Sequence, residues 1–266
     1  MPSIQPARLK QQAAMIAELY PDSQALVRSL RALFETYTDH THRAGLSNPP
    51  SSLLVTYRVP APVLRQVLVD LKPRVRQQPE AALALCDALW SEPIYEFRLL
   101  AISLLGLIDP QPAEPVIERL RSWIKPLPEE PLLACLVDTG LARLRQENLT
   151  SLLPLVKEWL GTQEQDSQKG ALWILKSLAT DPAHQDLPSV FRMLTPYLRL
   201  APPALRPDIL EVLVALAHRS PQETAHLLHQ SLAVSDNTDT AWLIRQVLAE
   251  FPEEIQKNLR SLQRNG

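Results

Sequence analysis

The chain has 266 residues, of which 45% are apolar and 21% charged, and its formal net charge is −2. This composition is that of a folded globular protein and excludes an intrinsically disordered chain. The apolar runs are only a few residues long, which excludes a membrane-spanning helix of ~20 apolar residues. The charge also lacks the basic excess usual in nucleic-acid-binding proteins.

Prolines mark the starts of helices along the chain. The sequence has 25 prolines and 6 glycines, and most prolines directly precede a segment with helical apolar periodicity, as at Pro79, Pro93 and Pro207. Proline fits the first helical turn because its missing N–H would have no intrahelical partner there. Acids such as Glu80 and Glu96 follow closely, where the helix dipole favours negative charge. These segments are therefore predicted helices.

The helices follow one another with short links. We predict about fourteen, at 6–19, 22–42, 61–72, 79–90, 93–108, 113–125, 130–145, 148–160, 164–180, 186–198, 203–218, 221–233, 236–250 and 252–264. Short links place consecutive helices antiparallel, and pairs of about 35–45 residues are typical of HEAT-like repeats. The prediction is an all-α fold, an α-solenoid of antiparallel helix pairs, in a single domain over 1–266. The longest irregular stretch, about 43–58, either contacts a ligand or bridges repeats.

Several kinds of site are not indicated. The glycines are too sparse for a GxGxxG or P-loop site, and no GxSxG or HExxH motif occurs. Cys86 and Cys135 lie apart among apolar residues, which favours buried thiols over a disulfide. His226 and His229 lie one helical turn apart without a third ligand, which favours a solvated pair over a metal site. We therefore expect a cytoplasmic protein with no metal, no nucleotide cofactor and no membrane partner.

One stretch carries a more specific pattern. In ALCDALWSEPIYEFRLLAISLLG a helix ends in Leu-Trp, a short turn follows, and the next helix opens with Glu-Phe before an alanine-bearing apolar stripe. This pattern resembles the signature of the DNA alkylation repair family, the HEAT-like-repeat glycosylases that excise alkylated purines. The segment LLVTYRVPAPVLRQVLVDL upstream and EWLGTQEQDSQKGALWIL downstream are similar to the same family. The residues that carry the resemblance are Leu89, Trp90, Glu96, Phe97 and Ala101, with Pro60 and Arg65 upstream.

The resemblance implies a concave groove that binds duplex DNA through its backbone. It also implies an aspartate that helps to hydrolyse the N-glycosidic bond, together with an arginine and two tryptophans. The aspartate corresponds to Asp138 and the arginine to Lys169, while the two tryptophans correspond to Ala134 and about Glu211. A tryptophan face attracts cations by roughly 0.5–2 kcal/mol, and lysine lacks the bidentate grip of arginine on phosphate. Excision by this chain is therefore an open question.

Considered without the resemblance, the candidate residues allow a structural interpretation beside the functional one. Asp138 lies in a stripe of small residues, which gives a ligand room, or it pairs with Arg145 or with a base on the next repeat. Lys169, Trp173 and Lys176 recur at i, i+4 and i+7, a stripe that suits a phosphate backbone or is a half-buried tryptophan between snorkelling lysines. A further basic set either follows phosphates or is a solvated face. Its members are Arg58, Arg65, Lys72, Arg74 and Arg76.

Three functions follow as hypotheses. The first is a DNA alkylation repair-like protein that binds duplex DNA in its groove through Lys169, Trp173, Lys176, Arg58 and Arg65, with Asp138 as the catalytic candidate. The second is a non-catalytic HEAT-like scaffold for a protein partner, favoured by the near-neutral charge. The third is a glycosylase with a shifted substrate preference that uses Asp138.

Overall fold

The computed structural model of the chain describes residues 4–38, 54–125, 129–234 and 239–265. In these residues it has fifteen α-helices and no strand, apart from one isolated bridge between Val55 and Ile94. The helices of residues 4–147 are α1 (Pro6–Ala17), α2 (Ser23–Tyr37), α3 (Ala61–Gln77), α4 (Pro79–Trp90), α5 (Tyr95–Leu105), α6 (Glu114–Ile124), α7 (Glu130–Cys135) and α8 (Ala142–Glu147). Those that follow are α9 (Leu149–Gly161), α10 (Gln165–Thr180), α11 (Leu187–Arg199), α12 (Arg206–Arg219), α13 (Pro221–Leu232), α14 (Thr240–Val247) and α15 (Glu253–Asn265). The predicted all-α class is confirmed.

The helices form two compact units, residues 1–152 and 153–266. In unit 1 the first layer consists of α1, α3, α5 and α7, each packed against the next, and the second layer contains α2 and α4. In unit 2 the first layer is α10, α12 and α14, and the second is α11, α13 and α15. Each unit therefore stacks helix pairs layer on layer, as HEAT-like repeats do. The single domain over 1–266 stays a prediction.

Each unit is held together by apolar side chains that are buried in its core. In unit 1 the core includes Phe34 of α2 and Phe97 of α5, whose rings meet edge to face with centroids 5.4 Å apart. In unit 2 Leu172, Leu213 and Ile244 of the first layer are fully buried. Within the described part of the chain, no helix is long and apolar enough to cross a membrane.

Helix α3 is longer than predicted. The sequence prediction ended this helix at residue 72, but the helix continues through Pro73 to Gln77. A proline inside a helix removes one backbone hydrogen bond and strains the preceding turn. Here Val75 is buried in line with Val67 and Leu71, and this burial favours continuing the helix. The predicted end at residue 72 is therefore wrong.

The predicted continuous helix over 130–145 is also wrong. It breaks into α7 and α8 around a π-helical turn at Leu136–Gly140, where the amide of Leu141 donates to the carbonyl of Leu136 at 2.9 Å. Close packing against α5 accompanies this turn. A Cβ placed on Gly106, just after α5, would lie 2.2 Å from the carbonyl oxygen of Thr139. Only glycine at position 106 lets the two backbones approach this closely.

Candidate functional site

Asp138 lies in the π-helical turn of unit 1. Its side chain is exposed, and among the described residues its carboxylate forms no hydrogen bond or ion pair. The guanidinium of Arg145 instead contacts the backbone carbonyl of Asp138 at 3.4 Å. Arg145 thus supports the turn, while the carboxylate is accessible to a ligand. π-Helical turns occur frequently at functional sites.

Two half-buried residues, Ala134 and Cys135, precede Asp138 by about one helical turn. Cys135, one turn earlier, is half-buried and hydrogen-bonds with the side chains of Thr139 and Ser103. Burial raises the pKa of the Cys135 thiol, and the Asp138 carboxylate raises it further against the opposing effect of those hydrogen bonds. The thiol is therefore protonated at neutral pH and adds no charge beside Asp138. Ala134, which the sequence analysis matched to a tryptophan, is half-buried.

The segment before α3 is held by a buried carboxylate. Glu96, 3% exposed, accepts a hydrogen bond from Thr56 Oγ1 at 2.9 Å and from the amides of Tyr57 and Val59 at 3.1 and 3.3 Å. The amide of Tyr95 also donates to the carbonyl of Val55 at 2.9 Å. The sequence suggested only a helix-dipole role for Glu96, because its loop partners lie about forty positions earlier.

Arg58 lies in the segment before α3 that Glu96 holds by hydrogen bonds. Its φ is 53°, in the left-handed region that costs a non-glycine residue roughly 1–2 kcal/mol. Its amide donates to Thr56 Oγ1 at 3.1 Å, and Glu96 holds the amides on either side. The side chain of Arg58 is exposed. The contacts of Glu96 therefore fix where this predicted DNA-binding residue is presented.

Arg65 belongs to a longer basic row on the exposed face of α3. Arg65, Val69, Lys72 and Arg76 are all exposed and recur at spacings of four, three and four residues, so they share one helix face. We call these four residues the α3 stripe. The sequence prediction named Arg65 but stopped the helix before Arg76. The missed signal is that the same spacing continues past Pro73.

The three candidates on α10 lie together on one half-buried face of that helix in unit 2. Trp173 is half-buried and its indole Nε1 donates to Oδ1 of Asp208 on α12 at 2.7 Å. Lys176 pairs with Glu211 of α12, with Nζ and Oε2 2.9 Å apart. The same Nζ lies 5.6 Å from the centre of the Trp173 ring. Lys169 is half-buried at the start of this row.

Two acids of α12 thus engage the α10 row. Asp208 is 7% exposed and anchors the indole, and Glu211 lies in the shallow groove between α10 and α12. Glu211 offsets the charge of Lys176. The sequence did not single out Asp208, because it is one of many acids in first helical turns.

The recognisable Leu-Trp and Glu-Phe residues are structural. The ring of Trp90 stacks on that of Trp123 with centroids 4.4 Å apart, and the Arg98 guanidinium lies 4.8 Å from the Trp90 ring centre. Phe97 is fully buried. These residues hold α4, α5 and α6 together and therefore position the helices that carry Asp138 and Arg65.

The candidates fall into two groups. Arg58, Arg65 and Asp138 belong to unit 1, and Arg58 and Arg65 are close along one segment. Lys169, Trp173 and Lys176 share one face of α10 in unit 2. In the part of the chain that the structure describes, no cluster of three or more His, Cys, Asp or Glu side chains could hold a metal ion.

Comparison with known protein families identifies the family of this chain. The family model described as DNA alkylation repair enzyme matches residues 30–246, which include all the candidates above. No curated protein and no solved structure matches the chain.

Proposed function

The chain belongs to the DNA alkylation repair enzyme family, and from this membership we propose that it binds duplex DNA and excises an alkylated purine with Asp138 as the catalytic carboxylate. Membership supports a function related to DNA repair. The observation that carries the finer proposal is the exposed Asp138 carboxylate, which has no partner among the described residues although Arg145 is adjacent. The π-helical turn fixes the backbone of Asp138, so its exposed carboxylate is available to contact a reacting group.

Alkylation gives the purine a positive charge, so the base is a good leaving group. The C1′–N9 bond breaks, its electron pair moves onto the base and cancels that charge, and water adds to C1′. The proton lost by water passes to Asp138 and then to solvent. The carboxylate also stabilises the positive charge that develops on the sugar in the transition state.

The replaced residues predict slow excision. Ala134 offers no aromatic face, and each missing tryptophan removes roughly 0.5–2 kcal/mol of cation attraction. Glu211 adds a negative charge that repels phosphates. Lys169 contacts phosphate as a point charge without bidentate geometry. These changes leave the hydrolytic role of Asp138 intact and weaken the grip on the lesion.

The test uses purified protein with duplex DNA that carries N7-methylguanine and with the unmodified duplex. Base release and salt-dependent binding are recorded together for the wild type, Asp138→Asn and Asp166→Asn. Asp166 is an exposed aspartate on α10 and is the matched control. We expect Asp138→Asn to lose base release, roughly 100-fold or more, and to keep duplex binding. Base release that is equal in both variants would exclude the catalytic role.

A scaffold for a protein partner is the competing proposal. The ion pair between Lys176 and Glu211 favours it, because that pair offsets a charge that DNA binding would use. This alternative predicts no salt-dependent binding to either duplex and a stoichiometric protein partner that remains after nuclease treatment. Base release from a different alkylated purine would instead favour a glycosylase with shifted preference.

A further inference from the structure

The α3 stripe is a strongly basic surface of unit 1. It places three cations and one exposed valine on a single face, and Val69 is 57% exposed. The core of unit 1 lies on the opposite side of the helix, where Val63, Val67, Leu71 and Val75 are buried. The stripe therefore has no packing role that would explain it.

Continuation of α3 through Pro73 completes the stripe. A helix that ended at residue 72 would leave Arg76 in a loop, out of line with the other members. Because the helix runs to Gln77, eleven residues separate the first and last cations of the stripe. At about 1.5 Å per residue this is roughly 16 Å, long enough to contact several phosphates of one strand.

No carboxylate among the described residues neutralises these cations. Asp70 of α3 accepts a hydrogen bond from Gln66 at 2.8 Å, and Glu18 pairs with Arg74, which lies off the stripe. The two first-layer neighbours of α3 contribute little negative charge, because α1 has no acid and α5 has only the buried Glu96. Arg65, Lys72 and Arg76 have no ion pair within the described part of the chain. Their positive potential is therefore available to a polyanion.

We propose that the α3 stripe is the main phosphate-backbone contact of unit 1 for duplex DNA. The inference rests on the proposed DNA binding and adds the element that supplies it, independently of excision by Asp138. The stripe has no aromatic side chain on which single-stranded bases would stack. A duplex presents its phosphates with the bases already paired, so a purely cationic row fits it. Val69 lies between the cations and contacts the sugar edge.

The first experiment removes the charge. The triple variant Arg65→Gln, Lys72→Gln and Arg76→Gln is compared with a control triple, Arg28→Gln, Lys157→Gln and Lys257→Gln. The control cations are exposed on α2, α9 and α15, so both triples change the net charge equally. Affinity for an unmodified 20-base-pair duplex is measured across salt concentrations. Each lost phosphate contact lowers the salt slope by ~0.9, so we expect the stripe triple to lose about 2–3 from the slope and the control to lose less than about 1.

A second pair of variants keeps all the cations. Val69→Glu places a carboxylate in the middle of the stripe, and Leu200→Glu places one on another exposed apolar residue, 69% exposed after α11. Neither change touches a core position. We expect Val69→Glu to weaken duplex binding about tenfold and Leu200→Glu to weaken it less than about twofold. Thermal unfolding confirms that each variant is folded, and this pair decides the matter if the triple variant does not fold.

The outcomes separate the two proposals. Loss of salt-dependent binding in the stripe triple and in Val69→Glu, with both controls near wild type, supports the inference. If the stripe variants bind duplex DNA as tightly as the wild type and with the same salt slope, the inference is overturned and the proposed function stands. A wild-type protein that does not bind duplex DNA overturns both.

Discussion

The α3 stripe and the row of Lys169, Trp173 and Lys176 on α10 have the same helical spacing of cations but different electrostatics. Both carry cations at helical spacings, and both belong to the first layer of their unit. The cations of the α3 stripe have no carboxylate partner among the described residues, while Arg74, off the stripe, pairs with Glu18. On α10, Lys176 pairs with Glu211 and Trp173 donates to Asp208.

The difference in electrostatics between α3 and α10 arises from the acids on the neighbouring helix of each. The first-layer helix beside α10 is α12, whose two acids lie on the side facing α10. Beside α3 the only acid of α5 is Glu96, which is buried and bound to the loop ahead of α3. A basic row on a helix is therefore electrostatically available to phosphate only when the acids of the adjacent helices are engaged elsewhere.

The largest expected effect is the loss of stability on removing Glu96, the buried acid of unit 1. Glu96→Ala removes the acceptor of three hydrogen bonds, two of them from backbone amides. Unsatisfied buried donors are costly, so we expect a loss of roughly 2–4 kcal/mol in unfolding free energy. Urea denaturation measures it. The control Glu80→Ala removes an exposed first-turn acid and should lose less than about 1 kcal/mol. Equal losses in the two variants would show that Glu96 does not hold the loop.

The corresponding acid of unit 2 should matter less. Asp208→Ala removes the acceptor of the Trp173 indole, and a hydrogen bond with one charged partner is worth about 1.5–3 kcal/mol. Urea denaturation again gives the value, with Asp166→Ala as the exposed control. A loss as large as that of Glu96→Ala would contradict the distinction between a loop-holding acid and a side-chain anchor.

Removing the acid that offsets Lys176 should make α10 more like α3. Glu211→Gln abolishes an exposed ion pair worth about 0–1 kcal/mol, so stability should change little. Freed from its partner, Lys176 becomes available to phosphate, and the salt slope of duplex binding should rise by up to about 0.9. The double variant Lys176→Gln and Glu211→Gln should show no rise. An unchanged slope in Glu211→Gln would mean that α10 does not contact DNA.

The smallest effect is expected at Arg74, which lies on α3 but off the stripe. Its guanidinium pairs with Glu18, and such partly exposed pairs contribute about 0–1 kcal/mol. Arg74→Gln should change the duplex salt slope by less than about 0.3, compared with ~0.9 for one stripe cation. A drop as large as that of Arg65→Gln would show that total charge matters and the stripe does not.

Local sequence patterns predicted the helices well and the contacts poorly. The proline and acid signals gave α4 its observed bounds and placed the start of α10 within one residue. The π-helical turn was missed because it accompanies the close approach of Gly106 to another helix. The pairing of Trp173 with Asp208 was missed because it joins residues 35 positions apart. Such contacts depend on which helices become neighbours, and the helical period does not contain that information.

The prolines that open α1, α4, α12 and α13 also act on the chain before it folds. Each fixes one backbone dihedral and so reduces the number of conformations open to the unfolded ensemble, which favours the native state by roughly 0.4–1 kcal/mol where the geometry is compatible. A repeat protein built in this way is free to exchange the charges on its exposed faces during evolution, because its helix starts are encoded separately from its binding surfaces.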